Sequence, residues 1–294
     1  MQPTPPQTHQ VRQVTIVSGK GGTGKTTVVA SFAALAENKV LADCDVDAAN
    51  LHLLLHPTER SAKQFYGAKV AVRDEAKCTR FGECERRCRF AALTTTSIRE
   101  SKCEGCGVCV EVCPNGALRL EPALSGEYYL SDTSYGPLSH AKLAAAAESS
   151  GGLVTMVRNQ AEDLARERGH GLVLIDGPPG IGCTVVASIT GVDLVLIVSE
   201  PTLSAMHDME RVHQLTNHFA IPTALLLNKA DLNDDNAARL RSYCADNGVM
   251  LVGELPFDER VPQSLVAGKP LVEHVDGDLA LCLRESWARL QELL

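Results

Sequence analysis

Nothing in the chain restricts its fold as tightly as the stretch Ser18-Gly19-Lys20-Gly21-Gly22-Thr23-Gly24-Lys25-Thr26-Thr27. Ahead of it, Val11 to Val17 is a short apolar, β-branched run that reads as a buried strand; behind it, Val28 to Glu37 reads as a helix. From Gly19 to Thr26 the spacing is G-x-x-x-x-G-K-T, and strand, glycine loop and helix in that order are the surroundings a phosphate loop requires. Glycines let backbone N–H groups face phosphate oxygens without Cβ clashes, and the following helix turns its positive end toward the same charge. The cradle therefore spans Gly19, Lys20, Gly21, Gly22, Thr23, Gly24, Lys25, Thr26 and Thr27. Lys25 is expected to reach the β- and γ-phosphates and Thr26 to place its hydroxyl on magnesium.

The rest of the chain continues the same pattern. Lys39 to Asp43, Leu172 to Asp176, Leu194 to Ser199, Thr223 to Asn228 and Val249 to Leu255 read as strands. Helical patterning fits Leu153 to Arg168, Leu203 to His218, Asp235 to Asn247 and Asp278 to Leu293. Gly126 to Leu130 and Tyr135 to Leu143 look like short extended segments. Such alternation implies an α/β fold, a doubly wound, mostly parallel sheet. A content of 45% hydrophobic residues with only 4% aromatics suits that class better than a β-sandwich. The polar residues 1–10 are expected to be disordered and lack the regions of a signal peptide. No apolar run approaches the ~18 residues of a membrane span, so the expectation is a cytoplasmic protein without a membrane anchor. The net charge of −8 argues against a nucleic-acid partner.

Lys20, a second lysine just after the first glycine, makes Lys-Gly-Gly-x-Gly-Lys-Thr, which resembles the deviant Walker A motif of the MinD/ParA/nitrogenase-iron-protein family. That resemblance implies an ATPase in which Lys20 reaches across a dimer to the partner's nucleotide, the dimer forming with itself or with a similar paralogue. It also implies catalytic roles for Lys20, Lys25 and Asp45. In Asp43-Cys44-Asp45-Val46-Asp47, Asp45 fits the family's switch I carboxylate that orients the attacking water, while Asp43 and Asp47 could equally be acidic caps. Asp176-Gly177-Pro178-Pro179-Gly180 ends a strand as a Walker B carboxylate would, completing an expected magnesium set of Thr26, Asp45 and Asp176. The Gly180 N–H would sense the γ-phosphate. Asn228, Lys229 and Asp231 read as a base-recognition segment, a pattern that guanine-specific GTPases also carry; the deviant motif favours adenine, hence ATP and ADP. Pro256 and Phe257 line the base by the same resemblance. Glu200-Pro201-Thr202 matches the family pattern with no chemistry assigned.

Residues 68–122 break this pattern. Cys103-x2-Cys106-x2-Cys109-x3-Cys113-Pro114 is a complete bacterial ferredoxin run, whose last cysteine ligates the neighbouring cluster. Upstream, Cys78, Cys84 and Cys88 repeat the run with Phe81 where the second cysteine belongs. With crossed ligation, Cys88, Cys103, Cys106 and Cys109 would hold one 4Fe-4S cluster. Cys78, Cys84 and Cys113 would hold a second, 3Fe-4S by resemblance to seven-iron ferredoxins, or 4Fe-4S with a non-cysteine ligand. Zinc is the competing reading, though it favours two separated cysteine pairs. Cys44, Cys183, Cys244 and Cys282 are scattered and are expected to be buried small hydrophobes. Between Lys69 and Lys102, nine Lys/Arg face five Asp/Glu, which either compensates anionic thiolates or offers a docking face to an acidic redox partner.

The expected organisation is thus a P-loop ATPase domain over 11–67 and 123–294, interrupted by a ferredoxin-like α+β insertion at 68–122. Nesting the two implies that nucleotide state gates electron transfer to a partner protein. One alternative is an iron-sulfur cluster assembly or carrier ATPase of Mrp type, although the C-terminal Cys-x-x-Cys of those proteins has no counterpart here. Another is a positioning ATPase like MinD and ParA; the terminal helix, with Arg284 and Arg289 balanced by Glu285 and Glu292, lacks the basic excess by which MinD binds lipid.

Overall fold

The computed structural model describes residues 11–144 and 151–294. The segment expected to be disordered, 1–10, lies outside the described residues. The described chain divides into two compact units, one from residues of 1–62, 128–141 and 150–294, the other from 63–127 and part of 142–149.

The first unit carries the sheet. In chain order its strands are β1 (Arg12–Ser18), β2 (Lys39–Asp43), β3 (Thr58–Phe65), β6 (Gly126–Thr133), β7 (Gly136–Leu143), β8 (Leu172–Pro179), β9 (Leu194–Ser199), β10 (Thr223–Asn228) and β11 (Met250–Leu255), with β4 (Ala68–Arg73) and β5 (Leu118–Ala123) falling between β3 and β6. The spatial order is β11-β10-β9-β1-β8-β2-β7-β6-β3, and the pairings of β11 through β7 are parallel. Because β9 is covered on both faces, its sequence Leu-Val-Leu-Ile-Val-Ser is a near-continuous aliphatic run, and β1 buries every residue after Arg12, Gln13 and Thr15 included. β3, Thr-Glu-Arg-Ser-Ala-Lys-Gln-Phe, is a polar edge strand, which is why apolar patterning missed it.

The helices of this unit are α1 (Lys25–Leu35), α2 (Leu51–Leu55), α5 (Gly151–Arg168), α6 (Cys183–Ile189), α7 (Leu203–His218), α8 (Asp234–Asn247), α9 (Arg260–Val266), α10 (Leu271–His274) and α11 (Asp278–Gln291); α3 (Glu83–Arg87) and α4 (Val108–Glu111) belong to the other unit. α1 begins at Lys25, three residues before the expected Val28, because Gly24 takes a left-handed φ of 91° and the loop's own Lys-Thr-Thr forms the first turn. Thr202 and Asn233 cap α7 and α8 by accepting the N–H of Ala205 and Asn236. α11 buries Leu279, Leu283, Trp287 and Leu290 along one stripe, with Trp287 against Phe32 at 5.1 Å between ring centres. Each such leucine contributes about 2 kcal/mol, so the stripe is committed to the core of the unit.

In the second unit β4 and β5 pair antiparallel, Ala68 opposite Ala123 and Arg73 opposite Leu118. The two cysteine runs connect these strands, and each contributes one short helix. Gly82 and Gly107 precede α3 and α4 with φ of 84° and 81°, so equivalent left-handed glycines start the helices that carry Cys84 and Cys109.

Candidate functional site

The carboxyl ends of β1, β2, β8, β9 and β10 bring the expected nucleotide residues together. A Cβ on Gly24 would lie 2.3 Å from the Asn228 amide and one on Gly19 would lie 2.5 Å from Asp208, so both glycines are required by close packing. Asn228 donates to the Thr23 carbonyl at 2.7 Å, tying β10 to the loop. Thr26 is half-buried, Thr27 is buried, and Gly21 and Gly22 are exposed.

Lys25 is buried between two carboxylates, ion-paired with Asp176 and 3.4 Å from Asp45. Burial alone would lower its ammonium, but Asp176 and Asp45 outweigh it and the net shift is upward. Burial, and then the charge of Asp176, push the Asp43 carboxyl well above the usual carboxylate range; burial also raises Asp45 against the pull of Lys25. Asp45 and Asp176 thus spend oxygens on Lys25, where the sequence expectation had both on magnesium. Among the described residues no three His, Cys, Asp or Glu side chains converge on a single-ion site. The donor set nevertheless fits a hard cation, since Asp43 and Asp176 each keep one buried carboxylate oxygen, and Thr23 its hydroxyl, without a partner. Asp47 is exposed, and its charge adds to the upward shift of Asp45. The Gly180 N–H, expected to sense phosphate, donates to the Ser18 carbonyl at 2.8 Å.

Lys20 is held within its own chain. Its Nζ lies 2.8 Å from Glu200 and within 3.3 Å of the Thr202 and Ser204 hydroxyls. The other Glu200 oxygen receives Lys229 Nζ at 2.8 Å, and Lys229 also donates to the Gly22 carbonyl. Burial would raise Glu200, but its bonds from Lys20 and Lys229 outweigh that and hold it below the usual range. Sequence reasoning left Glu200 without a role. Its place at the end of β9, between β1 and β10, was the available signal, because strand ends of a parallel sheet converge on one crevice. Asp231 accepts the Phe257 N–H at 2.6 Å, joining the two expected base-recognition segments; Pro256 and Phe257 are exposed.

In the second unit the cysteines sort into two cavities. One, with about 400 Å³ of empty space including its open side, is lined by Cys78, Cys84 and Cys113 together with Phe81, Arg73 and Arg80. The other, about 310 Å³ by the same measure, is lined by Cys88, Cys103, Cys106 and Cys109. Backbone N–H groups already point at sulfur: Ala71 to Cys103 at 3.4 Å, Ala92 to Cys88 at 3.4 Å and Ala117 to Cys113 at 3.3 Å. Burial, and then the neighbouring Cys103 and Cys106, push the Cys109 thiol up. Three cysteines around one cavity and four around the other fit, by number, the thiolate ligand sets of an inorganic iron-sulfur core. Phe81, which by spacing stands where the second cysteine of its run belongs, is 66% exposed.

The scattered cysteines divide differently. Cys44 and Cys244 are buried and Cys282 partly so, but Cys183 is exposed at the start of α6, which corrects the expectation of a buried residue. No helix among the described residues is long and apolar enough to cross a membrane.

Residues 14–271 match the profile described as the CobQ/CobB/MinD/ParA nucleotide binding domain. The uncharacterised protein MJ0578 of Methanocaldococcus jannaschii is 30% identical over 288 residues, covering 97% of this chain and 98% of that protein. An uncharacterised ATP-binding protein of the same organism, MJ0547, is 24% identical over 282 residues, covering 94% of this chain and 86% of its own. Among solved structures, the septum site-determining protein MinD complexed with Mg-ADP from Pyrococcus horikoshii superposes with a TM-score of 0.61 at 18% identity over 97% of both chains. At that identity the likeness speaks to the fold.

Proposed function

The chain belongs to the CobQ/CobB/MinD/ParA nucleotide-binding family, and from that premise we propose that it is a magnesium-dependent ATPase whose nucleotide state gates electron transfer through an inserted ferredoxin-like domain, residues 68–122. One observation carries the reading: the seven cysteines of the two runs separate into sets of three and four around two cavities, the division that crossed ferredoxin ligation requires. Cys88, Cys103, Cys106 and Cys109 would hold a 4Fe-4S cluster, and Cys78, Cys84 and Cys113 a second, 3Fe-4S or 4Fe-4S with a non-cysteine ligand. When bound, these clusters supply one-electron capacity. The chain's own part is to fix the thiolates and direct N–H groups at them.

At the nucleotide, Lys25 would neutralise the β- and γ-phosphates, and its transfer from Asp176 and Asp45 to phosphate would free both carboxylates for magnesium and the attacking water. Lys20 would leave Glu200 for the nucleotide of a partner subunit, closing a homodimer or a dimer with a paralogue. The switch carboxylates lie upstream of the second unit along the chain: after Asp47 come α2 and β3, and residue 63 opens that unit. Strain at the switch thus has a short covalent route to it. The test is electron paramagnetic resonance of anaerobically isolated protein with and without ATP, alongside iron and sulfide content. Two cluster signals, at least one altered by ATP, are expected; protein free of iron and sulfide, or signals indifferent to ATP, would refute the reading.

A second reading is a positioning ATPase, supported by relatives 26% and 28% identical over 92% and 89% of this chain, from Nephroselmis olivacea and Chlorella vulgaris, that are named putative septum site-determining protein MinD. ATP-dependent sedimentation with vesicles of anionic lipid, undiminished in protein lacking iron, would establish it over the first.

A further inference from the structure

The two cysteine cavities differ in charge. The three-cysteine cavity is lined by Arg73 and Arg80, with Glu83 engaged by Arg86 and Arg87 of α3. The four-cysteine cavity has no Arg or Lys in its wall and has Glu104. Arg73 is the unusual member. It ends β4, its side chain is only 4% exposed, and its terminal nitrogens are committed to the carbonyls of Thr94 and Thr95, the latter at 3.0 Å. Its Nε, the one nitrogen of the guanidinium that makes no hydrogen bond, is buried without a partner. The one acid paired with it, Glu75, stands 3.8 Å from Nη1 and is itself mostly in solvent. A buried guanidinium N–H left unpaired is costly, and with both terminal nitrogens fixed the geometry is that of a donor held for an anion.

We propose that Arg73 donates its Nε–H to a sulfur of the iron-sulfur core held by Cys78, Cys84 and Cys113, and so raises the reduction potential of that site above that of the Cys88, Cys103, Cys106 and Cys109 site. This rests on the reading of residues 68–122 as a cluster-binding insertion. Hydrogen bonds to cluster sulfurs and nearby positive charge both stabilise the reduced, more negative state. The fork to Thr94 and Thr95 fixes the donor, Phe81 leaves the fourth corner of the site without a thiolate, and the four-cysteine cavity has no Arg or Lys in its wall. The first electron to enter the unit therefore rests at the three-cysteine site.

The test is a redox titration followed by electron paramagnetic resonance on anaerobically purified full-length protein, wild type against Arg73→Met. The three-cysteine signal is expected to become about tenfold harder to reduce at the wild-type midpoint, about 59 mV for a one-electron couple, while the four-cysteine signal stays in place. Both signals moving together, or neither moving, would overturn the proposal. If Arg73→Met fails to retain that core, wild-type protein carrying ¹⁵N-arginine decides: a ¹⁵N coupling to the three-cysteine spin that survives Arg80→Met supports the proposal, and its absence overturns it. Two intact clusters without the coupling refute Arg73 alone. Protein without iron or sulfide refutes the cluster reading and this inference with it.

Discussion

The two compact units solve the problem of holding together in opposite ways. The first buries Phe32, Leu41, Leu174, Leu196, Leu226, Leu283 and Trp287 with many other aliphatic residues against one sheet. The buried apolar cluster of the second is Ala71, Ala92, Leu93, Cys109 and Leu118, with Ile98, Val110 and Leu120 and the cysteines Cys84, Cys88, Cys103 and Cys113 packed around it. At about 2 kcal/mol per fully buried leucine and much less per alanine, the second core is slight for a unit of this size. Domains below about 70–80 residues ordinarily add a disulfide or a metal site. The difference teaches that one unit is ordered by its side chains, while the other sets few of them around two sulfur-lined cavities, where the proposed clusters would supply the missing order.

The sharpest way to break the comparison is to remove the iron that the proposed clusters would carry. Stripping it anaerobically is expected to abolish hydrogen-exchange protection across α4 and β5 while ATP binding by the first unit changes by less than about twofold. Equal protection of α4 and β5 before and after would show that the small core suffices. Next in size is Lys25→Ala, which should cut ATP turnover about 10²–10³-fold, the usual cost of deleting a positioned charge-stabilising donor, and leave iron content untouched; a turnover within tenfold of wild type would deny Lys25 its phosphate role. Phe81→Cys should add one iron to the three-cysteine site and convert its resonance to that of a four-iron core, whereas an unchanged spectrum would mean that this corner is closed to a fourth thiolate.

Two smaller effects concern the first unit alone. Glu200→Gln removes the acid that holds Lys20 in its own chain, so ATP-dependent dimerisation, followed by sedimentation, should strengthen by up to about fivefold, the worth of a partly exposed ion pair. Weaker dimerisation would show Glu200 acting across the interface. Burial lowers His140 to about 4, where it stacks on Tyr129 and meets the Ser131 hydroxyl at 2.9 Å. Unfolded histidine takes up its proton near 6.5, so the unfolded chain binds more protons between these values and stability falls as pH drops from about 6.5 toward 4. The melting temperature of the first unit should fall between pH 7 and pH 5, and His140→Gln should flatten that slope.

Some of this was legible in residues alone. The loop from Gly19 to Thr26, the aliphatic runs of β2, β9 and β10 and the stripe of α11 announce themselves because local spacing and local burial obey the same periodicities. The sets Cys103-Cys106-Cys109 and Cys78-Cys84 are likewise written in spacing, and the backbone they dictate starts at the left-handed Gly107 and Gly82. What spacing cannot carry is contact between residues remote in sequence. The polar edge strand β3, the hold of Glu200 on both Lys20 and Lys229, the grip of Asp176 and Asp45 on Lys25, and the buried, unpartnered Nε of Arg73 each arise only when separate segments meet. Sequence determined which groups are present and in what local order; the fold decided which charges neutralise one another and which are left facing a cavity, because burial and pairing are properties of neighbours in space.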